Sequence, residues 1–322
     1  MKRFKSILYL AEPGLDQTAA LARAVSLAEN NQARLSLLQV MEPPQSGLLA
    51  DSRTVEARCA EAQERVMASL EALAAPWRER LVIDSQVRLG TPFVEAIREV
   101  LAGWRDLIIK LASPEAGLLN RFLGGTDLQL LRKAPCPVWI LSPQDQENYR
   151  RILAAVDFDP WRPELENDGL NRRILELSSS LALADFAELH LVHSWEPLSE
   201  DMMRLWSDPE DAAKIADAVN TEHLRHQTGF ERLIHKLRDW IGADAYDYLK
   251  PSPHLLRGSA PETIPALVER FKFDLVVMGT AGRSGISGLV IGNTAEAILS
   301  QLRCALLAVK PDSFVSPVTP LE

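Results

Sequence analysis

The 322 residues suffice for two domains of ordinary size, each able to bury its own core. Hydrophobic residues make up 47% and charged residues 25%, the balance of a soluble globular protein. A net charge of −9 argues against a dedicated nucleic-acid binder, and no stretch approaches the roughly 20 apolar residues of a membrane span.

The basic segment Met1–Lys5 precedes Ile7–Ala11, a run too short for a secretory signal and stopped by Glu12, so it reads as a first strand. A helical pattern over Thr18–Glu29, a strand over Arg34–Met41 and an amphipathic helix over Thr54–Leu73 follow. A strand then ends at Gly90, and a helix leads to the apolar strand Asp106–Ile109. A glycine-containing loop, a further helix and the strand Pro137–Leu141 complete this half. The second half repeats the order: strand Ile152–Val156 ending on Asp157, helix Asn171–Leu183, strand Glu188–Trp195, helical segment Pro209–Ile241 and a strand ending at Gly258. A helix, the strand Asp274–Met278, a glycine loop, the helix Ala295–Leu302 and the strand Ala305–Val309 follow. Strands alternating with helices, apolar on both faces, predict parallel sheets covered by helices.

A shift of 168 residues lays Gly90–Pro143 on Gly258–Pro311 without a gap, with identities that include Gly90/Gly258, Val100/Val268, Asp106/Asp274, Gly124/Gly292, Thr126/Thr294 and Cys136/Cys304. One domain is therefore used twice. The reading places the first copy at 1–143, the second at 149–312 and a loose tail at 313–322, with the Pro-rich, polar Ser142–Asn148 as the boundary.

The segment Gly279–Thr294 leaves a strand and enters a helix. Gly279 and Gly282 let backbone approach a ligand, and Gly292 precedes a helix whose first N–H groups favour an anion. Asn293 suits an N-cap, with Glu296 three residues on. Asp157, at the carboxyl end of its strand, faces the same crevice, where ligands of open α/β sheets bind. On spacing alone, a tight loop and a capped helix explain these residues equally well.

The pattern Gly279-x2-Gly282-x9-Gly292, after a strand opening at Asp274, resembles the ATP-binding signature of the universal stress protein family. Asp157, the strand Leu191-Val192-His193 and Gly258 agree with it, and the doubled domain resembles the tandem branch of Gram-negative bacteria. The resemblance implies two open five-stranded parallel sheets, order 3-2-1-4-5, with helices on both faces. It implies ATP, ADP or AMP in the second copy, with or without Mg²⁺, and a regulatory role in stress and DNA-damage tolerance. By motif, Asp157 meets the adenosine and the backbone of Ser194 meets adenine. Met278, Gly279, Gly282, Gly292, Asn293 and Thr294 surround ribose and phosphates. Arg283 either reaches phosphate or is a solvated loop arginine. The family usually has Ser or Thr where Asn293 stands.

At the matching positions the first copy has Glu12 for Asp157, Leu111 for Gly279, Pro114 for Gly282 and Gly125 for Asn293. A bulky side chain and a missing N–H predict no nucleotide in the same pose there. The crevice is then empty, structural or adapted to a less polar ligand. No Walker lysine, nucleophile elbow or Ser-His-Asp arrangement is present, so any ATPase activity is slow and no catalytic residue is assigned. A carrier or scaffold that binds no nucleotide is the alternative.

All six histidines lie in the second half. His190 and His193 are three apart on a strand and point to opposite faces, while His223 and His226, with Glu222 and His235 near, fit an exposed polar helix face, so no metal is expected. Three cysteines suggest buried thiols in a reducing cytoplasm rather than disulfides. The tandem arrangement implies an intramolecular pseudo-dimer, leaving a monomer and a homodimer of tandems both open; protein partners are not legible, and neither a membrane nor a specific nucleic acid is expected.

Overall fold

Runs such as Leu107–Ile109 and Leu275–Met278 become interior strands because a parallel strand covered on both faces needs apolar residues at successive, not alternate, positions. The computed structural model describes residues 4–43, 52–112, 125–144, 148–161, 168–197, 212–280 and 291–320. In the first copy the elements are β1 (Ser6–Ala11), α1 (Thr18–Asn31), β2 (Arg34–Met41), α2 (Ser52–Ala74), β3 (Ile83–Leu89), α3 (Pro92–Gly103), β4 (Leu107–Leu111), α4 (Gly125–Lys133) and β5 (Val138–Leu141). The strands run β3-β2-β1-β4-β5, all parallel, with Tyr9 opposite Leu37 and Ile109. α1 turns Leu21, Ala24, Val25 and Ala28 inward, spaced as one apolar helical face requires.

The second copy supplies β6 (Arg151–Ala155), α5 (Asp168–Asp185), β7 (Glu188–Trp195), α6 (Ala212–Ile241), α7 (Ala243–Leu249), β8 (Ser252–Arg257), α8 (Ala260–Phe271), β9 (Leu275–Gly279), α9 (Asn293–Leu299) and β10 (Ala305–Val309). Its strands β8-β7-β6-β9 are parallel neighbours. The short helix α7 is not legible in the sequence pattern, and α9 starts at Asn293 and stops at Leu299 rather than running Ala295–Leu302. Asn293 is therefore the first helical residue.

Contacts divide the chain into two compact units. One holds the second copy from Tyr149 to Gly279 with Asn293–Leu302. The other holds the first copy together with the C-terminal residues from Arg303. Within the latter, β10 pairs antiparallel with β5, placing Leu306 opposite Ile140 and Leu307 opposite Trp139. All five β10 residues are buried, so the β5 edge is taken by a strand of the same chain.

Several repeated residues have one structural job in both copies. Asp106 accepts backbone N–H groups from Lys5 (2.6 Å) and Ser6 (3.1 Å), and Asp274 accepts those of Arg150 (2.7 Å) and Arg151 (2.8 Å). Each carboxylate thus pins the start of the central strand of its copy. Gly90 and Gly258 take φ of +151° and +128°, a region L side chains rarely enter, and donate N–H to Met41 O and Trp195 O, both at 2.9 Å. A Cβ on Gly258 would lie 2.9 Å from Thr263 Cγ2. Gly258→Ala should therefore lower unfolding free energy by about 1–3 kcal/mol, read from the denaturant midpoint. A midpoint unchanged within error would show that the backbone here relaxes without strain.

Candidate functional site

The pairings β7-β6-β9 bring Asp157, Ser194 and Met278 to the carboxyl ends of three adjacent strands. Asp157 is exposed, Ser194 half-buried and Met278 buried. The peptide of Asp157 is held by Asn171 of α5: its N–H donates to Asn171 Oδ1 (3.2 Å), and Asn171 Nδ2 donates to its carbonyl (2.9 Å). In the first copy Gln17 performs the same clamp on Glu12, at 2.8 and 2.7 Å. Sequence reasoning missed both amides. Gln17 lies five residues after its acid and Asn171 fourteen, so no constant shift aligns them.

Ser194 Oγ is 2.7 Å from Thr263 Oγ1, which donates to Ser259 O. Gly279 has a local reason for lacking a side chain: a Cβ there would lie 2.8 Å from Leu170 Cδ2, so the glycine admits α5 against β9. Asn293 and Thr294 are exposed at the start of α9, and Gly292, counted with the other compact unit, donates its N–H to Thr280 O (3.1 Å). Gly282 and Arg283 lie outside the described residues.

In the first copy Lys110 occupies the position of Met278, and its ammonium is fully buried. It lies 2.7 Å from Glu12 Oε2 and 2.8 Å from Asp127 Oδ1, and it donates to Leu111 O at 2.9 Å. Asp127, also fully buried, comes from the first turn of α4; Ala295 stands at its place in the second copy. Beneath the triad Tyr9 donates to Gln17 Oε1 (3.1 Å), and burial, followed by the Glu12 charge, holds its phenol well above the ordinary range. A lysine inside an otherwise apolar strand was the available sequence signal. Beside Glu12 an open cleft of about 520 Å³ is lined by Pro13, Gln39, Val66, Leu70 and Leu73 among others.

The second copy differs at this place. Phe158 stacks on His193 with centroids 3.9 Å apart, and His193 Nε2 lies 2.9 Å from Nδ1 of His226 on α6. Trp195 stacks against His226, and Phe230 packs within 6.5 Å of Phe158. His226 and Glu222 are buried, which corrects their reading as an exposed helix face. α6 turns this polar stripe inward because aromatic partners cover it. Gly229 of α6 would place a Cβ 2.5 Å from the Phe158 ring, which explains a glycine that costs a helix interior about 1 kcal/mol relative to alanine.

His190 indeed faces the other way from His193: its Nδ1 is 2.9 Å from His254 Nε2, against Phe271 and Phe273. Among the described residues no three His, Cys, Asp or Glu side chains converge as metal ligands.

A profile of the Universal stress protein family matches residues 3–142 and again 148–310. The chain belongs to the universal stress protein family. Universal stress protein E of Salmonella typhi is 30% identical over 99% of this chain and 98% of its own. The Haemophilus influenzae homologue of that protein is 28% identical over 96% of this chain and 98% of its own. Among solved structures, a universal stress protein of Pseudomonas aeruginosa UCBPP-PA14 is 28% identical, covering 96% of this chain and 94% of that one, with a TM-score of 0.64. No helix among the described residues is long and apolar enough to cross a membrane.

Lys110→Met strips the buried Asp127 of its cation and should cost roughly 3–5 kcal/mol of stability. Lys110→Met/Asp127→Ala, which copies Met278 and Ala295, should regain part of that loss; equal losses would show that the triad is not a unit. Burial holds His190 and His254 below the usual histidine value, so the unfolded chain binds more protons below pH about 6.5. Stability should then fall as pH drops through 6.5, less steeply in His190→Leu/His254→Leu; an unaltered slope would place its source elsewhere.

Proposed function

We propose that this tandem universal stress protein is a regulatory protein whose second copy binds ATP or a related nucleotide and acts by changing its interactions with partners. The observation that carries the reading is the difference between the copies at one place. The first copy fills its crevice with an internal ion cluster, Lys110 bridging Glu12 and Asp127. The second has the uncharged Met278 and Ala295 at the matching positions and keeps the glycine pattern Gly279-x2-Gly282-x9-Gly292. Family membership supports it, as do the positions of Asp157, Ser194 and Met278 at the carboxyl ends of adjacent strands.

In this reading the Asp157 carboxylate accepts hydrogen bonds from the ligand's sugar or base, with its peptide immobilised by Asn171. The backbone of Ser194 meets the base, and Asn293 and Thr294 offer N–H groups to phosphate. Arg283 adds a charge-assisted contact and Mg²⁺, where present, shares the phosphate charge. This reading assigns no general base to a phosphate-bound water, so turnover is slow and binding is the output. Tolerance of stress and DNA damage, and a cytoplasmic location, belong to this proposal through the family.

The open cleft of the first copy favours a second reading, a carrier of a non-nucleotide ligand. Mass spectrometry of small molecules that co-purify with the full chain separates the two.

Calorimetry with ATP and ADP should show one site per chain, lost in Asp157→Ala, whose exposed side chain can be truncated without emptying the core. Binding that survives the substitution, or no binding, would remove the second copy as the nucleotide site.

A further inference from the structure

Two residues mark the same place in both copies. Pro13 follows Glu12 as Phe158 follows Asp157. Gln39 pairs with Ala11, one residue before Glu12; His193 stands one residue beyond the Ala155–Val192 pair, at the corresponding level. In the first copy Pro13 and Gln39 both line the open cleft of about 520 Å³. In the second, Phe158 and His193 stack face to face and are almost wholly buried. The fold therefore leaves a cleft here unless side chains fill it, and the second copy fills it with a ring.

The geometry points to Phe158, held by His193 and His226, as a plug that occupies the second copy's crevice and must leave before a flat, apolar part of a ligand can settle beside Asp157. The ring is placed for that role. It is attached to the residue next to Asp157, it stacks at 3.9 Å on one side, and on the other it reaches the α6 backbone at Gly229. A flat ring held by stacking is an internal competitor for another flat ring. Apparent affinity is then the intrinsic affinity reduced by the fraction of molecules with Phe158 out. The imidazole pair fixes the plug from behind: His193 Nε2 and His226 Nδ1 are 2.9 Å apart, and Trp195 covers His226.

The identity of the ligand rests on the nucleotide reading, whereas the plug itself does not, so the test has two readouts. Phe158→Ala removes the ring. Gly229→Ala drives a methyl into its position while favouring the helix, and so serves if Phe158→Ala does not fold. Full-length protein and both variants are titrated with adenosine and ATP by calorimetry, and with indole by NMR. Both variants should bind adenosine at least about tenfold more tightly than the unaltered chain. Both variants should also bind indole, and the unaltered chain should not. Adenosine binding that is equal or weaker in both variants shows that the ring is ordinary core and overturns the plug while leaving the nucleotide reading in place. If neither adenosine nor ATP binds any of the three, the nucleotide reading fails and indole decides alone: binding to Gly229→Ala, which keeps the ring, upholds the plug, and its absence there overturns it, since a Phe158→Ala cavity would take indole in any core.

Discussion

Ending a buried parallel strand on a carboxylate carries a desolvation cost that must be met inside the fold, by water or by a ligand. Both copies of this chain place an acid there, on a peptide clamped by a side-chain amide from the following segment. They meet the cost differently. Glu12 shares a buried ammonium with Asp127, a closed set of charges in which each member depends on the others. Asp157 reaches the surface, with uncharged residues where the ammonium and second carboxylate would be. The rest of the asymmetry follows from that choice.

One copy has a fixed charge cluster beside an open cleft, the other an exposed acid beside an aromatic stack. A duplicated domain needs only one site for a signal, which leaves the other copy free to carry structure. Here the first copy's compact unit also incorporates β10, the last strand of the second copy's sequence. The chain thereby covers the β5 edge with its own strand instead of leaving it to another molecule.

The repeat, the strands and most helix positions were legible because their residues face a buried sheet, and burial writes a period into the sequence. Asp106 and Asp274, and Gly90 and Gly258, were visible as identities, although their jobs emerged only with the hydrogen bonds. What stayed hidden depends on contacts distant in the chain. The Gln17 and Asn171 clamps sit at different spacings from their acids. Lys110, just beyond the run Asp106–Ile109, takes its meaning only from Asp127 beside it. His226 read as surface because a helical polar stripe cannot announce that Phe158, His193 and Trp195 will cover it. Gly279, read as room for a ligand, has a second reason to be glycine in the contact with Leu170.

The central claim is that the second copy, and not the first, takes the nucleotide. Photolabelling the full-length protein with 8-azido-ATP, followed by peptide mapping, tests it most directly. The account predicts label confined to peptides of the second copy around Asp157 and Ser194, and abolished by excess ATP. Label on peptides bearing Glu12, Gln39 or Leu70, competed in the same way, would contradict it and assign the nucleotide to the open cleft of the first copy.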